Sequence, residues 1–177
     1  VKYLQEGDLV IAPYVDSPPD GYSTIYGGFS EYAVVHDWKV MEELGIGKGT
    51  PGFVDYYQIQ KKIPVDFSPV NGVMMITLRE VLAAARHFGL KADESIVIFG
   101  AGAVGLSFAK MARILGMSLV ILVDIQGEKR ADAQQVGADL FIDSSCEDVE
   151  KLVREICPEG VDYILDAVGV NEIINTG

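Results

Sequence analysis

The chain has 177 residues, with 26 acidic against 14 basic side chains and a formal net charge of −12. That length suits one domain or one and a half and is ample for a core, since ~150 residues already bury roughly 70% of the unfolded surface. The acidic balance and the absence of any Lys/Arg run exclude nucleic acid and anionic membrane as natural partners, and no apolar run approaches the ~20 residues of a membrane span.

No stretch reads as a signal peptide. Cys146 and Cys157 are the only cysteines and form no metal-type C-x-x-C pair, so reduced thiols of a cytoplasmic protein are expected. The chain opens at Val1 inside what reads as a loop entering a strand, and closes at Gly177 soon after a strand and a fresh helix start. It reads as a piece of a longer polypeptide.

In chain order, Gly7 to Ala12 is expected to turn into a strand. Pro13 to Tyr26, with Ser17-Pro-Pro-Asp-Gly21, is a loop built from turn residues. Gly27 to Val35 returns to extended structure, and Lys39 to Met41 is a further short strand, so the first forty residues look antiparallel β. From Gly45 to Gln60 the glycines break any regular element. Ser68-Pro69 then opens a helix, Ser as N-cap and Pro at the first helical position. Its inward face is expected to carry Val70, Val73, Met74, Thr77, Val81, Ala84, Ala85 and Phe88. Helices end at Phe88-Gly89-Leu90, Leu115-Gly116-Met117 and Val136-Gly137-Ala138, each with a left-handed Gly and an apolar residue closing back on the last turn.

The most informative stretch runs from Ser95 to Asp124. Ile96 to Phe99 reads as a strand buried on both faces, the habit of parallel sheets. Gly100, Gly102 and Gly105 follow at the spacing G-x-G-x-x-G. An apolar helix leads to a second buried strand, Leu119 to Val123, which ends on Asp124 roughly twenty residues past the glycines. Gly100 lets the chain turn, Gly102 lets backbone approach a pyrophosphate, and Gly105 lets helix and sheet pack closely. The helix start offers unpaired N–H groups and about half a positive charge. Asp124 is placed to accept from the adenosine ribose hydroxyls and to repel a 2′-phosphate, so NAD is expected over NADP.

A helix from about Glu128 to Val136 leads to a strand at Leu140–Ile142. Ser144 and Ser145, with Glu147 and Asp148, suggest a capping box for a helix whose inner face is Val149, Leu152, Val153 and Ile156. The acidic group Glu147, Asp148 and Glu150 is explained by the helix dipole without a metal. Val161 to Leu165 is the fourth parallel strand, ending in Asp166-Ala-Val-Gly169. The alternation predicts an α/β fold: a doubly wound parallel sheet (Rossmann) of order 3-2-1-4, its crevice between the first and fourth strands.

These segments resemble the medium-chain dehydrogenase/reductase superfamily, and within it the zinc-type alcohol and polyol dehydrogenases. The matching residues are Glu6 to Val10, Gly27 to Val35, Val97 to Gly105, Gly137 to Asp139 and Gly160 to Gly169. The resemblance implies that residues 1–67 are part of an antiparallel β, GroES-like catalytic domain and 68–177 an NAD-binding Rossmann domain, incomplete at its C-terminus. It implies cofactor contacts at Gly100, Gly102, Ala103, Val104, Gly105, Asp124, Lys129, Ala167 and Val168. Val104 would lie on the nicotinamide side, Lys129 at the adenosine ribose, and Ala167 and Val168 by the adenine or its ribose. The implied partners are a small alcohol or carbonyl substrate and a homodimer or homotetramer.

Departures from the family pattern concern metal. Zinc is implied only by the resemblance. Its Cys and His ligands would lie upstream, Ile76 stands where a third ligand is expected, and the cysteine lobe of the structural zinc is replaced by Tyr14 to Tyr26. No ligand and no catalytic residue is identified. Two histidines, His36 and His87, cannot form a three-histidine site, and a solvated or hydrogen-bonded role is expected for each. A small-apolar packing role is expected for both cysteines. Tyr22, Tyr26, Tyr56 and Tyr57 lie in predicted loops and are either exposed or line a substrate cleft. Three functions stay open: an NAD-dependent oxidoreductase moving a hydride between a secondary alcohol or polyol and nicotinamide; a zinc-independent quinone or enone reductase of the same superfamily; and a non-catalytic nucleotide-binding protein.

Overall fold

A computed structural model describes residues 2–11 and 34–169, and the chain divides into two compact units, Val1–Ile76 and Thr77–Gly177. The expected loop at 13–26 and most of the extended segment at 27–35 lie outside the described residues. No described helix is long and apolar enough to cross a membrane.

The second unit is built on strands β1 (Ser95–Phe99), β2 (Leu119–Asp124), β3 (Leu140–Asp143) and β4 (Tyr163–Asp166). All pair in parallel in the order β3-β2-β1-β4, as the alternation predicts. β1 lies between two neighbours and is buried along its whole length, which its unbroken β-branched run requires. Its residues alternate between two cores. Ile96 and Ile98 join Val120, Leu122 and Leu165 beneath helix α3 (Ala103–Ile114), with Ala133 of α4 (Arg130–Val136) in the same cluster. Val97 and Phe99 join Ile121, Val123 and Ile142 on the opposite face, against Val149, Leu152 and Val153 of α5 (Val149–Ile156). Burying each of these branched side chains contributes about 1.5–3 kcal/mol.

Helix α2 (Pro69–Phe88) begins at the expected proline. Its predicted inward face is buried only at Val81 and Ala85; Val70 and Val73 are 79% and 70% exposed, and Met74 and Phe88 are also exposed. Periodicity identifies an apolar stripe but not how much of it a neighbour covers. The three predicted glycine ends are present. Leu90, Met117 and Ala138 each donate to a carbonyl five residues back, on Ala85, Ala112 and Ala133, while Gly89, Gly116 and Gly137 are left-handed.

Four other expectations are corrected. Lys39–Met41 is not a strand but lies in helix α1 (Trp38–Glu43), capped by Asp37 and closed by left-handed Gly45 with Ile46 donating to Met41. The segment after Gly45 is not wholly irregular, because Asp55–Ile59 forms a 3-10 turn that buries Tyr57. Tyr57 stacks on His36 at 3.9 Å instead of lying open in a loop. The strand expected at Gly7–Ala12 reduces to an antiparallel bridge, Val10 to Lys62, with hydrogen bonds from Ile11 to Lys61 and from Ile63 to Leu9.

Around α5, the cap is Asp148, which accepts from Lys151, and not Ser144 or Ser145. Ser145 is already taken: its N–H and hydroxyl both donate to Asp143. The acidic group otherwise behaves as dipole complementarity predicts, with Glu150 in the first turn and paired with Arg154. Ile156, expected inside, is exposed. Cys146 is exposed and Cys157 half-buried, so the packing role expected of both fails for Cys146.

At the amino ends of the strands, Asp162 ties β4 to β1: its carboxylate accepts from the Ser95 N–H and hydroxyl at 2.8 and 2.7 Å. Ser95's hydrogen bonds hold the Asp162 carboxyl below its ordinary 3.8. A depressed folded-state pKa stabilises above the unfolded value and is lost as pH falls through the folded one. Asp162→Ala should therefore lower the unfolding midpoint at neutral pH. Its deficit against the parent should shrink as pH is lowered through and below 3.8, followed by chemical denaturation across pH.

Candidate functional site

The carboxyl edge of the sheet brings together the residues that the fingerprint singles out. β1 is followed by Gly100, which is left-handed at φ +98 and donates its N–H to Val123 of β2. A Cβ here would stand 2.7 Å from Val168 Cγ2, so the turns after β1 and β4 are in contact. Ala167 of that second turn donates to the carbonyl of Phe99. Gly105 lies in the first turn of α3, and a Cβ on it would run into the carbonyl oxygen of Gly100.

Gly102 is different in kind. It is the N-cap of α3, no side chain caps that end, and a Cβ on it would meet nothing within 4 Å. Ala103, Val104 and Gly105 form the first helical turn, whose N–H groups have no partner within a helix. Leu106 is the first to donate back, to Gly102. The result is an uncapped helix start facing open space, with a local positive field.

Asp124 closes β2 beside this turn. Its Oδ2 accepts from the N–H of Ala101 at 2.7 Å, and its Oδ1 from Gln126 at 2.9 Å. A carboxylate has about four acceptor positions, so these two bonds leave room for further donors. Lys129 ends the 3-10 turn Gly127–Lys129 that follows. Val104 is 47% exposed and shares a cleft of about 300 Å³ with Asp166, Ala167, Phe88 and Tyr163. The structure thus gathers Gly100, Gly102, Ala103, Val104, Gly105, Asp124, Ala167 and Val168 at one edge of the sheet. Ile76 is in α2, and an isoleucine cannot ligate a metal.

Sequence reasoning missed Asp143. It pairs in register with Asp124, and its Oδ2 lies against Gly127 so closely that a Cβ there would collide with it. Hydrogen bonds from the Ser145 hydroxyl and N–H, with the charge of Arg130, hold the Asp143 carboxyl below its ordinary 3.8. The glycine in the β2–α4 connection was the available signal, because a neighbour must press where only Gly fits. Arg130 itself donates to the Phe141 carbonyl and pairs with Glu147. Among the described residues no group of three or more His, Cys, Asp or Glu is placed to hold a metal ion.

The glycines should separate in a stability experiment. Gly105→Ala forces backbone apart at Gly100 and should cost at least about 2 kcal/mol, at the upper part of the usual overpacking range. Gly102→Ala enters open space, loses only glycine's N-cap preference over alanine, and should cost no more than about 1 kcal/mol. Urea unfolding of both variants measures the difference.

Comparison with known proteins agrees with this geometry. A family model described as "Zinc-binding dehydrogenase" matches residues 103–177. (R,R)-Butanediol dehydrogenase of Bacillus subtilis is 27% identical over 135 residues, covering 74% of this chain and 39% of the relative. Probable D-xylulose reductase A of Aspergillus clavatus is 32% identical over 122 residues, covering 66% and 34%. A solved zinc-binding dehydrogenase of Sinorhizobium meliloti bound to NADP superposes with a TM-score of 0.61 at 31% identity, covering 67% and 35%. The chain spans about a third of the length of such relatives: 39% and 34% of the two curated ones. It belongs to the medium-chain dehydrogenase/reductase superfamily, in the branch of the zinc-type alcohol and polyol dehydrogenases.

Proposed function

We propose that the protein containing this chain is an NAD-dependent oxidoreductase that moves a hydride between a secondary alcohol or polyol and nicotinamide. One observation carries the nucleotide part. The start of α3 is uncapped and open at Gly102, directly beside a strand-end carboxylate, Asp124. That pairing suits a dinucleotide, with its pyrophosphate at the helix start and its adenosine ribose at the acid. The fit to the cofactor rests on the vacant space that a Cβ at Gly102 would enter.

When bound, NAD supplies the hydride acceptor, while the protein supplies orientation and dryness. Gly100, Gly102, Ala103 and Gly105 would hold the diphosphate, and Val104 the nicotinamide side. Asp124 and Lys129 would hold the ribose, with Ala167 and Val168 flanking the adenosine. The names of the related butanediol and xylulose enzymes support the substrate class. Residues 1–67 would belong to a GroES-like catalytic domain and 68–177 to the nucleotide-binding domain. The intact protein would be a cytoplasmic homodimer or homotetramer.

Ile76 favours a second reading, a zinc-independent quinone or enone reductase. Metal analysis of the full-length protein separates the two. About one zinc per chain, with activity lost to a chelator, supports the dehydrogenase; activity without metal supports the reductase.

Calorimetry tests the nucleotide assignment. NAD should bind the intact protein at least about tenfold more tightly than NADP, some 1.4 kcal/mol, because a 2′-phosphate would face Asp124. Gly102→Ala should weaken NAD by about tenfold or more while the fold persists. Equal affinity for the two nucleotides, or an unaffected Gly102→Ala, would overturn the assignment.

A further inference from the structure

Three of the four strands end in aspartate, and each carboxylate accepts the N–H two residues on. Asp124 takes Gln126, Asp143 takes Ser145, and Asp166 takes Val168. These local turns are a common way to leave a strand. β1 lacks one, because it ends in Phe99 and is followed by Gly100, neither of which has a carboxylate. The backbone after Gly100 is fixed from next door: the N–H of Ala101 points to Oδ2 of Asp124 on β2 at 2.7 Å. Ala101 is fully buried, where an amide without a partner is costly. It is followed at once by Gly102, the open N-cap of α3.

We infer that Asp124 is the positioning residue of the phosphate turn as well as the acceptor for the ribose: by holding Ala101 it aims the free N–H groups of Ala103, Val104 and Gly105. The inference rests on the nucleotide reading above and goes beyond it in one respect. Asp124 then supports binding of a diphosphate even when there is no hydroxyl for it to grip. Electrostatics alone demands the opposite sign, since a carboxylate beside a diphosphate repels it.

The test uses the intact protein with two ligands, NAD and an NAD analogue carrying hydrogen in place of both adenosine ribose hydroxyls. Affinities are measured for the parent, Asp124→Ala and Asp124→Asn, with Asp124→Ser in reserve should the alanine variant fail to fold. Asp124→Ala should bind the analogue about tenfold more weakly than the parent, the effect of one lost hydrogen bond to a charged group. Asp124→Asn keeps a carbonyl oxygen for Ala101 and should stay within about threefold. Without ligand, the Ala101 amide should exchange with solvent faster in Asp124→Ala than in the parent, and near the parental rate in Asp124→Asn.

If Asp124→Ala loses NAD affinity but binds the analogue as well as the parent does, or better, the inference fails and the ribose assignment stands. If the analogue is too weak to measure, the exchange rate decides, and an unchanged rate overturns the inference. If the parent does not bind NAD, both readings fall together.

Discussion

The hydrogen bond from Ala101 to Asp124 is the constraint on which the edge of this sheet depends. It crosses from the turn after one strand to the last residue of its neighbour, so it exists only when β1 and β2 pair in the observed register, with Phe99 opposite Val123. A slip by one residue would move Asp124 away from the turn and exchange the faces of Ile121 and Leu122. Those two side chains belong to opposite cores. The packing that fixes register and the geometry that fixes the turn therefore enforce each other.

The glycines divide by what surrounds them. At Gly100 and Gly105 the fold itself occupies the space: Val168 crowds one, and the carbonyl of Gly100 crowds the other. These are explained by packing without any ligand. Gly102 is not, since nothing lies within 4 Å of where its Cβ would be and its φ of −79 suits any residue. No neighbour requires glycine there, and beyond glycine's general preference for helix N-caps the open, uncapped helix start is what the proposed dinucleotide reading uses.

Much of this was legible in the sequence, because parallel strands buried on both faces advertise themselves as unbroken β-branched runs. The strand order followed from chain alternation, and Phe88-Gly89-Leu90 marked a helix end correctly. The same signal stands at Leu44-Gly45-Ile46, where the neighbouring cluster of glycines masks it. Asp143 was missed for another reason. Its role depends on pairing with Asp124 and on the approach of Gly127, and both relations join residues distant along the chain. The exposed half of α2 was likewise beyond periodicity, which predicts a stripe and says nothing of its cover.

An acidic chain with carboxylates at the edge proposed to take an anion looks self-defeating, yet the way they are bonded resolves much of the conflict. Asp143 and Asp166 each accept two N–H or O–H groups from their own turns, and Asp124 accepts one from its own turn and one from Ala101 in the turn after β1. Donors aimed at a carboxylate partly offset its field and fix its direction. The start of α3 carries no such carboxylate cap. Its positive end is therefore not neutralised internally, as an Asp or Ser at residue 102 would do. The net charge of −12 thus acts as a long-range field, screened within about 8–10 Å at ordinary salt. Recognition of the proposed dinucleotide at this edge would be decided by oriented groups well inside that distance.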